Sequence, residues 1–253
     1  GVGLVGSEMC IRDRHSTDPV LSCLGSQYAG WSLSFVQNDD NFSALGSGPC
    51  RALAGKEDIF RDIVYKDKFF STVVVLEVDQ KPPQEIIDKV VTDCDISEKN
   101  LTVILTPTRS LCGTTQVVGR VLEVGLHKVH ELGFPIDKVV DGFGSAPLPP
   151  PAPDFLIGMG RTNDAILYGG LVHLYVDTPN DDAEELAKRL PSSTSKDYGK
   201  PFADIFKEYK YDFYQIDKML FSPAKVIVSS LKTGKSYTSG NIDLSLMDNS
   251  FNK

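Results

Sequence analysis

Residues 71–105 read STVVVLEVDQKPPQEIIDKVVTDCDISEKNLTVIL. The β-branched run 71–78 has the composition of a strand, and Pro82 and Pro83 close it. Ile86, Ile87, Val90 and Val91 then recur at the spacing of one helix face as far as Cys94. Residues 101–105 make a second strand. Strand, helix and strand in succession argue for an α/β or α+β protein.

The chain on either side agrees. Residues 15–55 are rich in Gly, Ser and small side chains and read as strands and loops. Residues 106–115 read as a loop. Val117, Val118, Val121, Leu122, Leu126, Val129 and Leu132 recur at helical spacing, with Gly133 and Pro135 as the stop. Residues 141–153, DGFGSAPLPPPAP, hold five prolines and two glycines, which exclude a helix and suit a central strand poorly. That stretch reads as a rigid connector or pocket wall. Residues 165–176 suggest one or two strands broken at Gly169 and Gly170. Residues 181–190 suggest a helix with acidic side chains in its first turn. After a polar loop at 191–199 come a short helix at 201–209, a strand at 225–229, and a hairpin turn at 233–240 before a final short strand. Several connections look like hairpins, so mixed β-sheets are expected rather than all-parallel ones.

The 253 residues are 41 % hydrophobic and 24 % charged, enough for a large core in one or two domains. Lys and Arg number 26 against 34 Asp and Glu, a net charge of -8 that argues against general nucleic-acid or anionic-membrane binding. The longest aliphatic runs, such as 73–76, fall far short of the about 20 apolar residues that cross a bilayer. No secretory pattern opens the chain, so the expected address is the cytoplasm. Cys10, Cys23, Cys50, Cys94 and Cys112 lack paired spacing and read as reduced, mostly buried thiols.

Residues 7–14, SEMCIRDR, differ in style from the rest of the chain and resemble the translated end of a transposon adapter used in sequencing libraries. On that reading residues 1–14 are non-native, the protein begins near His15, and an N-terminal part is missing. A genuine irregular tail is the alternative.

Four clusters carry possible chemistry. Gly234-Lys235-Ser236 echoes the end of a phosphate loop, but Ser229 stands where that motif needs glycine, and a polar hairpin turn is favoured. His127 and His130 share a helix face beside Glu131, but nothing completes a metal site, and a solvated face is favoured. Gly46-Ser47-Gly48-Pro49-Cys50-Arg51 could turn backbone N–H groups and an arginine fork toward an anion, or be only a tight turn feeding a helix. Arg161-Thr162-Asn163-Asp164 lies at a structural edge. A helical turn brings Arg161 and Asp164 to the same side, where Arg161 can orient a carboxylate or substrate oxygen and Asp164 can take a proton from water. An ordinary ion pair explains the same spacing.

Six segments taken together resemble the methenyltetrahydromethanopterin cyclohydrolase family. They are DPVLSCLGSQYAGW at 18–31, GSGPCRALA at 46–54, DGFGSAPLPP at 141–150, GRTNDAILYGG at 160–170, PSSTSKDYGKPFADIF at 191–206 and FSPAKV at 221–226. They run in the family's order and cover nearly all of residues 15–253.

The resemblance implies two subdomains enclosing a central pocket, with a possible junction near 141–153, and a homotrimer. It implies reversible hydrolysis of 5,10-methenyltetrahydromethanopterin to 5-formyltetrahydromethanopterin, a one-carbon step that serves methanogenesis or formaldehyde oxidation. No metal or prosthetic group takes part; the pterin derivative is substrate, and neither nucleic acid nor membrane is a partner. Arg161 and Asp164 fall on the family's catalytic arginine and carboxylate, with Asp164 one methylene shorter than the glutamate of other members. Gln27, Tyr28, Ser47, Gly48, Arg51, Gly144 and Ser145 fall in segments expected to bind substrate. Trp31 offers a stacking group there, and residues 192–195 are expected near the pocket. The competing expectations are a non-catalytic pterin-binding protein, an inactive fragment, and a cyclohydrolase acting on methenyltetrahydrofolate.

Overall fold

A computed structural model of the chain describes residues 11–37 and 40–252. It divides into two compact units, unit 1 comprising residues 1–20 and 109–253 and unit 2 comprising residues 21–108.

Unit 2 carries a mixed four-stranded sheet in the order β2-β3-β4-β5. Strands β2 (Trp31–Gln37) and β3 (Asp40–Ser47) form an antiparallel hairpin, and β3 meets β4 (Thr72–Leu76) antiparallel through Gly46 and Ser47. Strand β5 (Leu101–Leu105) runs parallel to β4, with Thr72 opposite Leu101. A parallel pair needs a crossover, and the amphipathic segment becomes that helix, Gln84–Cys94. Ile86, Val90 and Cys94, four residues apart, pack against Leu33, Val74 and Leu76 of the sheet. Each large apolar side chain so buried contributes about 2 kcal/mol. Asp95, at φ 53°, ends the helix in the left-handed conformation. Two short helices, α1 (Cys50–Ala54) and α2 (Ile59–Asp62), lie between β3 and β4; the crossover helix is α3.

Unit 1 carries a mixed five-stranded sheet in the order β1-β6-β7-β8-β9. Its strands are β1 (Ile11–Ser16), β6 (Val139–Pro147), β7 (Leu171–Val176), β8 (Lys225–Ser230) and β9 (Ser236–Gly240), of which only β7 and β8 pair in parallel. Residues 1–10 of the segment expected to be foreign, with Cys10, lie outside the described residues, and Ile11 to Arg14 open β1.

Several elements differ from the sequence expectation. Residues 141–147 form an internal strand inside unit 1, because the prolines cluster at its end whereas Gly142 and Gly144 lie within it. A Cβ at either glycine would stand 3.0 Å from Leu122 or Val121, so the small residues let a helix lie close on the strand. That helix, α5 (Val121–Glu131), is separated from α4 (Leu111–Val118) where one long helix was expected. Arg120, at φ -86° and ψ 4°, leaves helical geometry just after Gly119. Helix α4 begins in the expected loop because the Ser110 hydroxyl accepts the Gly113 N–H at 2.9 Å. Residues 165–167 are helical, and β7 begins only after Gly170. The last element is a helix, Leu244–Phe251, started by the Asp243 side chain accepting from Leu246 N–H. Helices at Asn180–Arg189 (α7) and Phe202–Glu208 (α8) match their expected positions.

Among the described residues no helix is long and apolar enough to cross a membrane.

Candidate active site

Helix α6 (Phe155–Leu167) carries both residues expected to be catalytic. It starts where the prolines stop: Asp154 accepts the Ile157 N–H at 2.9 Å and so satisfies one of the free amides of the first turn. Arg161 and Asp164 lie three positions apart on this helix, which puts them on neighbouring parts of one side.

Their environments differ. Arg161 is half-buried, and its Nη1 donates to the carbonyls of Pro150 and Pro151 at 3.1 and 3.3 Å. Its Nε is buried with no acceptor among the described residues, and burial lowers the guanidinium pKa. Asp164 is fully buried, and its Oδ1 accepts the backbone N–H of Phe202, the first residue of α8, at 2.9 Å. Gly160 permits that approach: a Cβ there would meet the Ala203 Cβ at 2.9 Å. Burial, and then the charge of Asp164, push the Tyr168 phenol above its ordinary range. The Tyr168 hydroxyl donates to the Lys200 carbonyl.

Gly144 and Ser145 point to opposite faces of β6, as alternation requires. Gly144 packs on α5, whereas half-buried Ser145 shares the outer face with Asp141 and Phe143. Beside it a cavity of about 500 Å³ is lined by His15, Asp141, Phe143, His173 and Tyr175, among others. His127 faces Glu131 at 3.8 Å, and no group of three or more His, Cys, Asp or Glu suited to a metal occurs among the described residues. Gly234, at φ 76°, turns the β8–β9 hairpin, and Ser236 opens β9, so Gly234-Lys235-Ser236 is a hairpin turn.

In unit 2 Arg51 is fully buried and its fork is taken up inside the unit. Nε and Nη2 each donate to Glu57 at 2.7 Å, and Nη1 donates to Leu24 O and Gly25 O at 3.0 and 2.9 Å. The guanidinium also lies over the Tyr28 and Phe60 rings, 5.2 and 5.4 Å from their centroids. Its charge is answered by a bidentate carboxylate, so here it braces residues 24–28 instead of offering an anion fork. The Gly48 N–H is likewise engaged, donating to Ser26 O at 2.5 Å, and Ser47 Oγ donates to Val75 O at 3.4 Å. Gln27 keeps a buried Oε1 that accepts no hydrogen bond from the described residues. Trp31 belongs to the core. Cys23, Cys50 and Cys94 are buried and Cys112 is exposed, all as free thiols. Burial pushes Cys50 far up and Cys94 up to about 11, which leaves both unreactive.

Sequence reasoning missed Glu57, Lys128 and Phe202 as partners of this machinery. Glu57 lies six residues from Arg51, and Phe202 is 38 residues from Asp164. No local spacing announces either pair. Lys128 carried a faint signal, a charge set between the apolar Leu126 and Val129 of the helix, and it is fully buried.

The chain matches the family model described as Cyclohydrolase (MCH) over residues 6–251. It is 60% identical to the methenyltetrahydromethanopterin cyclohydrolase of Methylobacillus flagellatus, covering 94% of this chain and 71% of that protein. The protein of the same name from Methylosinus trichosporium is 53% identical, with 93% and 89% covered. That from Rhodopirellula baltica is 44% identical, with 98% and 74% covered. A match that runs from residue 6 to residue 251 takes in both units, and with it the α6 helix and the Arg51 helix: the chain belongs to the methenyltetrahydromethanopterin cyclohydrolase family.

Proposed function

We propose that the protein hydrolyses 5,10-methenyltetrahydromethanopterin to 5-formyltetrahydromethanopterin, with Arg161 and Asp164 as its catalytic pair. The match over residues 6–251 carries the activity. The buried Arg161 Nε, without an acceptor among the described residues, supports the choice of residue.

The methenyl carbon bridges N5 and N10 in an amidinium-like cation and is electrophilic as bound. Water adds to it, Asp164 takes one of the water's protons, and the tetrahedral adduct opens by breaking the bond to N10. Asp164 passes the proton it took to N10, the adduct hydroxyl loses the second water proton to solvent as its C=O forms, and the formyl group stays on N5. Arg161, half-buried, orients the adduct oxygen through its guanidinium. Nothing in this sequence needs a metal or prosthetic group, because the cation supplies its own electrophile. Gln27 and Tyr28 are substrate contacts in unit 2, with Ser47, Gly48 and Arg51 shaping the segment behind them. In unit 1, Gly144 and Ser145 shape β6 for the same purpose. The same reading carries a homotrimer in the cytoplasm, serving methane formation or formaldehyde oxidation according to the host.

A second reading is favoured by the Phe202 contact. In it Asp164 only holds α8, and Arg161 alone meets the substrate.

The test follows loss of the methenyl chromophore with purified protein and both the methanopterin and folate substrates. Turnover preferring the methanopterin form supports the proposal. Binding without turnover, or a preference for the folate form, overturns it. Light scattering on the same sample reads the assembly.

A further inference from the structure

Lys128 is fully buried on α5. Its Nζ lies 2.7 Å from Pro191 O, 2.8 Å from Thr194 Oγ1 and 2.7 Å from Met219 O. Three oxygens, none of them a carboxylate's, take up all three N–H bonds of an ammonium. Burying a charge in this way is costly before its hydrogen bonds are counted. Burial accordingly pulls the Lys128 pKa down to about 7, with Asp217 pulling it back up. An apolar side chain would fill the space without that cost. What the ammonium adds is a three-way tie among α5, the turn Ser192–Thr194 and the turn Lys218–Leu220.

The tied segment leads to the candidate active site. Ser192 Oγ donates to Leu167 O, at the end of α6, and Ser195 Oγ donates to Asp217 Oδ2 at 2.7 Å. The Asp217 N–H in turn donates to Asp197 Oδ2 at 2.9 Å. Farther along, the Phe202 N–H reaches Asp164 Oδ1. A segment that begins on Lys128 therefore ends on the carboxylate proposed to move the proton.

We infer that Lys128 is a positioning residue for the cyclohydrolase reaction, holding residues 191–202 so that the Phe202 amide fixes the Asp164 carboxylate. The inference rests on the proposed role of Asp164. It differs from a merely structural role in predicting that turnover falls while substrate binding stays.

The experiment compares Lys128→Met with wild type at a temperature where circular dichroism shows both folded. The expected result is a kcat about 10- to 100-fold lower with KM within about threefold, the signature of a displaced catalytic group. Amide exchange over residues 192–204, read by mass spectrometry, is expected to speed up by about tenfold or more. A folded variant with kcat within about twofold of wild type overturns the inference, and so does a kcat loss without faster exchange in that segment. If Lys128→Met does not fold, Thr194→Val removes one of the three acceptors. The same fall in kcat on a smaller scale, about two- to fivefold, is then expected, and an unchanged kcat overturns the inference. Asp164→Asn in the same assay separates the two failures. Normal turnover there sinks the role of Asp164 itself, whereas an inactive Asp164→Asn beside a normal Lys128→Met sinks only the positioning.

Discussion

Asp164 Oδ1 accepts the backbone N–H of Phe202 at 2.9 Å, so the carboxylate proposed to move a proton also anchors the start of a helix 38 residues farther along the chain. The two duties use different chemistry. Accepting an N–H requires only an oxygen, while taking a proton from water requires a charge.

Asp164→Asn keeps the oxygen and removes the charge. We expect a folded protein whose kcat falls by about 100- to 10,000-fold. Asp164→Ala removes both and is expected to lose about 1 kcal/mol of stability as well. Chromophore loss and denaturant unfolding of the two variants read the two duties apart. Near-normal turnover in the asparagine variant would leave Asp164 with the structural duty alone.

Glu57→Ala tests the brace in unit 2. The Arg51 guanidinium is fully buried, and removing its bidentate partner leaves that charge uncompensated. Such a loss costs about 3–5 kcal/mol. Urea unfolding is expected to show that destabilisation, and a change below about 1 kcal/mol would mean that water reaches the guanidinium.

Gly48→Ala tests the turn before α1. Gly48 has φ 106°, and a Cβ would stand 2.6 Å from the Val73 carbonyl oxygen, which belongs to the backbone of the neighbouring strand and cannot swing away. Strain and clash together are expected to cost about 2 kcal/mol or more, visible as a lower melting temperature.

His127 sets a direction for pH dependence. Burial lowers its pKa below the ordinary 6.5, with Glu131 pulling it up and His130 and Lys218 pushing it farther down. Between the folded and unfolded pKa values the unfolded chain binds a proton that the folded chain does not. The stability from His127 is therefore complete above 6.5 and is lost as pH falls through the lower folded value. Melting temperatures from about pH 8 down to about pH 5 are expected to fall less steeply in His127→Asn than in wild type, and equal slopes would refute this assignment.

The strand, helix and strand of residues 71–105 were legible because their periodicity is local, and the short helix at Phe202–Glu208 was legible for the same reason. Helix α6 was only partly so. Its glycines lower helix propensity, and they are there because Ala203 packs against Gly160. Strand β6 was hidden by the prolines at its C-terminal end, although its own glycines serve the close approach of α5.

By itself the sequence determined the family, through six ordered segments, and the spacing that puts Arg161 and Asp164 on one side of a turn. Only the tertiary structure decided which charges are already answered inside the protein. Arg51 and Arg161 look alike as sequence, yet Arg51 is closed off by Glu57 and two carbonyls while Arg161 keeps a buried N–H without an acceptor among the described residues. Lys128 passes for one more charge on a helix until three oxygens, 63 to 91 residues away along the chain, converge on it. The reason is physical: a side chain's charge is written in the sequence, but the oxygens that use up its hydrogen bonds arrive from distant segments, and only folding brings them into place.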